Sequence, residues 1–128
     1  PPSPPPLNAD VSTASSLRAA LTDPPQGATY FVRGTLEVTD VVDVKERALV
    51  TIVGDGADET VLDGAGRCNI LRARALADVT VHNVTFARGS TNCSGLEGAA
   101  VRVEPDGLVR MHGCSFVDNA GVAVAVEA

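Results

Sequence analysis

The side chains with the most chemical potential are Asp40 and Asp43, Arg72 and Arg74, and Arg102 and Glu104. Carboxylates set beside guanidiniums can hold an acidic sugar such as a uronate, because an arginine fork matches a carboxylate in two hydrogen bonds. The plainer outcome is a solvated sheet face in which these residues pair with one another across strands. Asp40, Asp43, Arg72 and Arg102 are the carbohydrate-groove candidates, and the pairing outcome is the expected one. His82 and His112 lie thirty positions apart and could sit one above the other. A zinc site needs three or four ligands, and no Cys or carboxylate shares their column, so the expectation is a surface ladder with neither metal nor cofactor.

Three cysteines fit neither a CxxC knuckle nor a catalytic dyad. Cys68 and Cys93 fall in loops at equivalent places of successive repeats, which makes a disulfide between them geometrically reasonable and fits an oxidising compartment. Cys114 aligns with the apolar Val84 and is expected to be buried and unpaired. Asn83-Val84-Thr85 and Asn92-Cys93-Ser94 satisfy the N-glycosylation pattern. Asn92 lies in a Gly- and Ser-rich loop suited to a glycan. Asn83 lies at a corner, where it either carries a glycan or turns inward to bond the backbone.

These residues are positioned by a repeat. Val79-Thr80-Val81-His82-Asn83-Val84-Thr85-Phe86 aligns without a gap to Val109-Arg110-Met111-His112-Gly113-Cys114-Ser115-Phe116, and Leu71-Arg72-Ala73-Arg74 to Val101-Arg102-Val103-Glu104. A looser copy runs through Val50-Thr51-Ile52-Val53-Gly54 and Thr60-Val61-Leu62-Asp63-Gly64. A period of about 30 residues holding three short strands predicts a solenoid. Corners such as Asn83 and Gly113 are too short for a hairpin and accept positive φ. Stacked coils would then lie about 4.8 Å apart, with Phe86 on Phe116 and Val81 on Met111.

The chain has 128 residues, 45% of them apolar, with no Trp and a formal net charge of −6. This suits one aliphatic core and disfavours nucleic acid or an anionic membrane surface as the main partner. No run approaches the roughly 18 apolar residues of a membrane span. The chain starts at Pro1, as expected of a processed chain or a fragment. Residues 1–10 read as a proline-rich, polyproline II arm and 11–128 as the β domain, opened by a capping helix over 11–22 with Leu17 and Leu21 facing inward.

On Leu49-Val50-Thr51-Ile52-Val53-Gly54-Asp55-Gly56, the Val79–Phe86 segment and Cys114-Ser115-Phe116-Val117-Asp118-Asn119, the sequence resembles the right-handed parallel β-helix superfamily, the pectate-lyase-like fold. Ser16-Leu17-Arg18-Ala19-Ala20-Leu21 and Gly27-Ala28-Thr29-Tyr30-Phe31-Val32 look like its capping helix and first strand. The resemblance implies an all-β, right-handed parallel β-helix of about four coils, with a short N-terminal capping α-helix and an extended proline-rich arm. It implies no single activity. The enzymes of the superfamily need clustered acidic residues with a basic residue beside them; no paired aspartates recur on adjacent coils here, and the sequence leans against catalysis. Gly98-Ala99-Ala100-Val101 with Phe116-Val117-Asp118-Asn119 is similar to the short repeats of bacterial polymorphic outer-membrane adhesins. The leading PPSPPP resembles Ser-Pro segments of algal and plant hydroxyproline-rich glycoproteins, which implies glycans on hydroxylated Pro1, Pro2, Pro4, Pro5 and Pro6.

A stack of coils has two ends. The helix would close the first, whereas Val122, Val124 and Val126 alternate as a last strand with nothing after it to cover the edge. The expectation is a secreted, non-catalytic structural glycoprotein of the cell wall, matrix or surface, associating with its own copies as an oligomer or filament. An extracellular polysaccharide is the further expected partner. The alternatives are a polysaccharide-acting lyase or hydrolase or its inactive carbohydrate-binding remnant, and an adhesin passenger module.

Overall fold

The computed structural model describes residues 8–38, 41–56, 59–65, 69–89, 100–119 and 124–126. Strands dominate and run parallel to their neighbours; a single helix is present among the described residues. In chain order the elements are β1 (Asn8–Val11), α1 (Ala14–Thr22), β2 (Ala28–Val32), β3 (Gly34–Glu37) and β4 (Val42–Val44). Then follow β5 (Leu49–Gly54), β6 (Thr60–Asp63), β7 (Leu71–Ala73), β8 (Asp78–His82), β9 (Thr85–Ala87), β10 (Val101–Val103), β11 (Leu108–His112), β12 (Ser115–Val117) and β13 (Val124–Val126).

From β2 onward the chain visits three sheets in rotation, and each strand pairs with the one three strands before it. The first sheet is ordered β1-β2-β5-β8-β11, the second β3-β6-β9-β12 and the third β4-β7-β10-β13. Strands β2 to β13 thus form four three-strand layers. The register is the one the repeat predicts: His82 beside His112, Phe86 beside Phe116, Val81 beside Met111, and Arg72 beside Arg102. Strand alternation turns one side chain in two toward the space enclosed by the sheets. Tyr30, Ile52, Val81 and Met111 form one inward column, and Leu36, Leu62, Phe86 and Phe116 another. Below the last layer these residues are buried, so the core is a set of like-on-like columns of mostly aliphatic side chains.

The corners need left-handed backbone. Asn83 (φ 59°) and Gly113 (φ 66°) turn the chain from the first sheet to the second, as their residue types suggest. The corner from the third sheet back to the first uses Arg47, Leu76 and Asp106 at φ 65°, 62° and 62°. Polar side chains beside the corners bridge successive layers, Thr60 buried and Asn119 half-buried. The Thr60 hydroxyl donates to the Val32 carbonyl (3.0 Å) and accepts from the Asp55 N–H (2.8 Å). The Asn119 carboxamide donates to the Phe86 carbonyl (3.0 Å) and accepts from the Gly89 N–H (2.7 Å).

The N-terminal boundary differs from the sequence reading in two respects. Asn8, Ala9 and Asp10, read as the end of the arm, join Val11 in strand β1, paired with Thr29–Val32 of β2. The helix starts at Ala14 rather than residue 11, because the Thr13 side chain accepts the Ser16 N–H and fixes the N-cap there. Leu17 and Leu21 are fully buried, as expected of a helix closing the end of the core.

Candidate functional site

The outward face of the third sheet carries the carbohydrate-groove candidates. Asp43, Arg72 and Arg102 occupy one column, with the Ala125 backbone next in register. The Arg72 fork donates twice to the Asp43 carboxylate, Nε to Oδ1 at 2.5 Å and Nη2 to Oδ2 at 3.0 Å. That bond holds the guanidinium pKa above its ordinary value, against the lowering effect of partial burial. Beside this column Arg74 meets Glu104 at 3.6 Å, and Arg102 is buried. Asp43 with Arg72, and Arg74 with Glu104, therefore answer each other's charge.

The pattern recurs elsewhere. Arg88 donates through Nε to Asp63 Oδ1 at 2.9 Å and through Nη2 to Oδ2, and Arg110 donates to Asp78 at 2.8 Å. In each case an arginine reaches down to a carboxylate in the layer beneath. The Arg88 bond is the main reason the Asp63 carboxyl is held below the usual carboxylate range, with the Ala65 N–H adding to it against desolvation. These pairs knit adjacent layers at a solvent-exposed surface, where screening leaves ion pairs little net effect on stability.

His82 and His112 are stacked, with ring centroids 4.9 Å apart and planes 17° from parallel. Stacked imidazoles direct their ring nitrogens side by side rather than toward a common point. Among the described residues no group of three or more His, Cys, Asp and Glu is arranged to hold a metal ion. Asn83 is exposed, not turned into the core, and a Cβ placed on Gly113 would lie 2.5 Å from its Oδ1. Its carboxamide thus lies under Gly113 of the next layer. Cys114 is free and only half-buried, because no described residue lies above it as Cys114 itself lies above Val84; its Sγ donates to the Val81 carbonyl at 3.5 Å. The expected disulfide of Cys68 and Cys93, the glycan site Asn92, the prolines Pro1, Pro2, Pro4, Pro5 and Pro6, the groove candidate Asp40 and the edge residue Val122 lie outside the described residues.

The two ends of the layered core are unlike. At the first, β1 lies over β2 and α1 packs against β4, so that Leu36, Val42 and Val44 are buried although no strand of their own sheet lies beneath them. At the second, β11, β12 and β13 each form the edge of a sheet. Phe116 rests on Phe86 with centroids 5.4 Å apart, but 37% of its surface is exposed, with Leu108 at 43% and Val117 at 44%. An apolar concavity of about 290 Å³ opens there between Val103, Gly107, Leu108, Val109, Met111 and Val124.

No family model, curated protein or solved structure matches this chain. The function is therefore argued from this geometry. Of the residues expected at the assembly edge, Val124 and Val126 lie in β13, on the free edge of the third sheet. The sequence reading missed that Leu108, Phe116 and Val117 extend the same surface across β11 and β12. For Phe116 the signal was present in the repeat, since it aligns with the buried Phe86 and no described residue lies above it; Leu108 and Val117 align with the outward-facing Asp78 and Ala87, and the column of Leu108 is exposed already at Leu49.

Proposed function

We propose that this chain is a right-handed parallel β-helix, a solenoid of four coils, serving as a secreted, non-catalytic structural glycoprotein module. In this reading it assembles into an extracellular fibre or matrix through its proline-rich arm and its open last coil. The rotation of the chain through three parallel sheets supports the β-helix. The observation that carries the assembly reading is the last described layer, where the core residue Phe116 stands exposed beside three strand edges that are unpaired among the described residues. The mutual pairing of Asp43 and Arg72 weighs against a polysaccharide-cleaving groove, since both groups are engaged before any sugar arrives.

The test uses native material. Negative-stain imaging is expected to show elongated particles, and intact mass before and after deglycosylation to differ by the attached sugar. Monodisperse, unglycosylated monomers would overturn this reading.

A further inference from the structure

We infer that Asn83 carries an N-linked glycan at the corner between the first and second sheets. This rests on the secreted-glycoprotein reading and names where on the folded chain a sugar stands. Asn83-Val84-Thr85 is an acceptor triplet by sequence. Such triplets recur by chance, so the surroundings of the asparagine decide whether a sugar fits.

The backbone of this corner is fixed while the side chain is left open. Asn83 sits at φ 59°, a conformation that asparagine tolerates. Its N–H donates to the His112 carbonyl at 2.9 Å, and the Ser115 N–H donates to the Val84 carbonyl at 3.1 Å. Asn83 is exposed, and among the described residues none hydrogen-bonds its carboxamide. Oδ1 is the atom turned to the next layer, 2.5 Å from where a Cβ on Gly113 would lie; Cγ is 3.6 Å from that point and Nδ2 no nearer than 3.9 Å. The nitrogen that would take the sugar is therefore the end of the carboxamide turned away from Gly113.

The neighbours in the column leave room. Val53 and His112 flank His82 in register, so one residue further on Gly54 lies on one side of Asn83 and Gly113 on the other. A sugar ring on Nδ2 is wider than the about 4.8 Å between layers and would press on side chains at those two positions. Both are glycine, and Asn83 is the one residue of the three with a side chain.

The chemistry sets the order of events. In the transfer, Nδ2 gives one proton to a base and bonds the anomeric carbon of the sugar. The bond from that carbon to the diphosphate of a lipid-linked oligosaccharide breaks, and the diphosphate leaves with the electron pair. The triplet requires the hydroxyl of its third residue, yet Thr85 is only 7% exposed in the folded chain. Transfer therefore precedes the closing of this layer. Strands β11 and β12, which pair with β8 and β9 on either side of the corner, lie thirty positions later in the chain, so the triplet is made before they can cover it.

Peptide mass mapping of the full chain from its native source tests the assignment, before and after an amidase that releases N-linked sugar and converts the carrier asparagine to aspartate. The expected result is a sugar-bearing peptide that contains Asn83 and, after release, aspartate at that position. In the chain made by a eukaryotic secretory host, Asn83→Gln and Thr85→Val should each lose this sugar, whereas Thr85→Ser, which keeps the hydroxyl, should retain it. Occupancy is read on the total chain, retained and secreted together, so a folding defect does not imitate the loss. Sugar on Asn92 or on the prolines of the arm, with Asn83 unmodified, would overturn the assignment and leave the glycoprotein reading standing. A native chain bearing no sugar at all would overturn both.

Discussion

Phe86 and Phe116 are the same residue in the same column, one layer apart, and comparing their truncation measures what the last layer lacks. Phe86 is fully buried, between Leu62 in one layer and Phe116 in the next. Replacing it by Ala removes the transfer energy of the ring and leaves an enclosed void, a combination that costs about 3–5 kcal/mol. Phe116 keeps 37% of its surface in water. Its removal forfeits about two-thirds of the burial energy of a phenyl side chain and leaves an open notch rather than a cavity, a loss of about 1–2 kcal/mol. The difference of about 2 kcal/mol should appear as a lower urea midpoint for Phe86→Ala at constant m-value, followed by far-UV circular dichroism at low micromolar concentration. On the proposed assembly reading, the cost of Phe116→Ala should climb toward that of Phe86→Ala at high concentration, because association would cover the ring. Equal costs in a chain shown to be monomeric would refute the reasoning.

Three further outcomes follow from particular contacts. Gly54→Ala should lower stability by about 2–3 kcal/mol in the same assay, because a Cβ there would collide with the Asn83 carbonyl oxygen and come within 2.9 Å of Thr60 Cβ and Val84 Cγ2. Asp63 is held below the usual carboxylate range chiefly by the hydrogen bond from Arg88; its contribution is therefore complete above about pH 4 and lost as pH falls through the depressed value. Asp63→Asn should blunt that part of the acid destabilisation in urea melts between neutral and acid pH. The sole tyrosine, Tyr30, has its pKa raised by burial. The unfolded chain releases that proton first, so stability falls as pH rises past about 10, and the tyrosinate absorbance of the folded chain should develop above the pH of free tyrosine.

Much of this architecture was legible because the repeat preserves bulky or unusual residues at one offset. His82 with His112 and Phe86 with Phe116 fix the register of two sheets, and Arg72 with Arg102 that of the third. Strand β1 was not legible. Asn8-Ala9-Asp10-Val11 does alternate, with Ala9 and Val11 in register with Tyr30 and Val32, but four residues holding one small and one branched apolar side chain are too short a signal next to a proline run. The left-handed corners at Arg47, Leu76 and Arg88 were equally hidden, because none of these types favours positive φ and each is imposed by the strands it joins. Of the groove candidates, Asp43, Arg72 and Arg102 share one column, but the Asp63–Arg88 pair was not foreseen. Arg88 lies one residue beyond β9, so it reaches Asp63 diagonally rather than along a register line.

The most direct test of the layered register is a nuclear Overhauser experiment on the aromatic protons, which three Phe and one Tyr keep sparse enough to assign. Cross-peaks should join the Phe86 ring to that of Phe116, 5.4 Å away between centroids, and the His82 ring to that of His112, 4.9 Å away. Their absence in the folded chain, or short contacts between opposed Cα protons of the kind antiparallel neighbours make, would contradict the account.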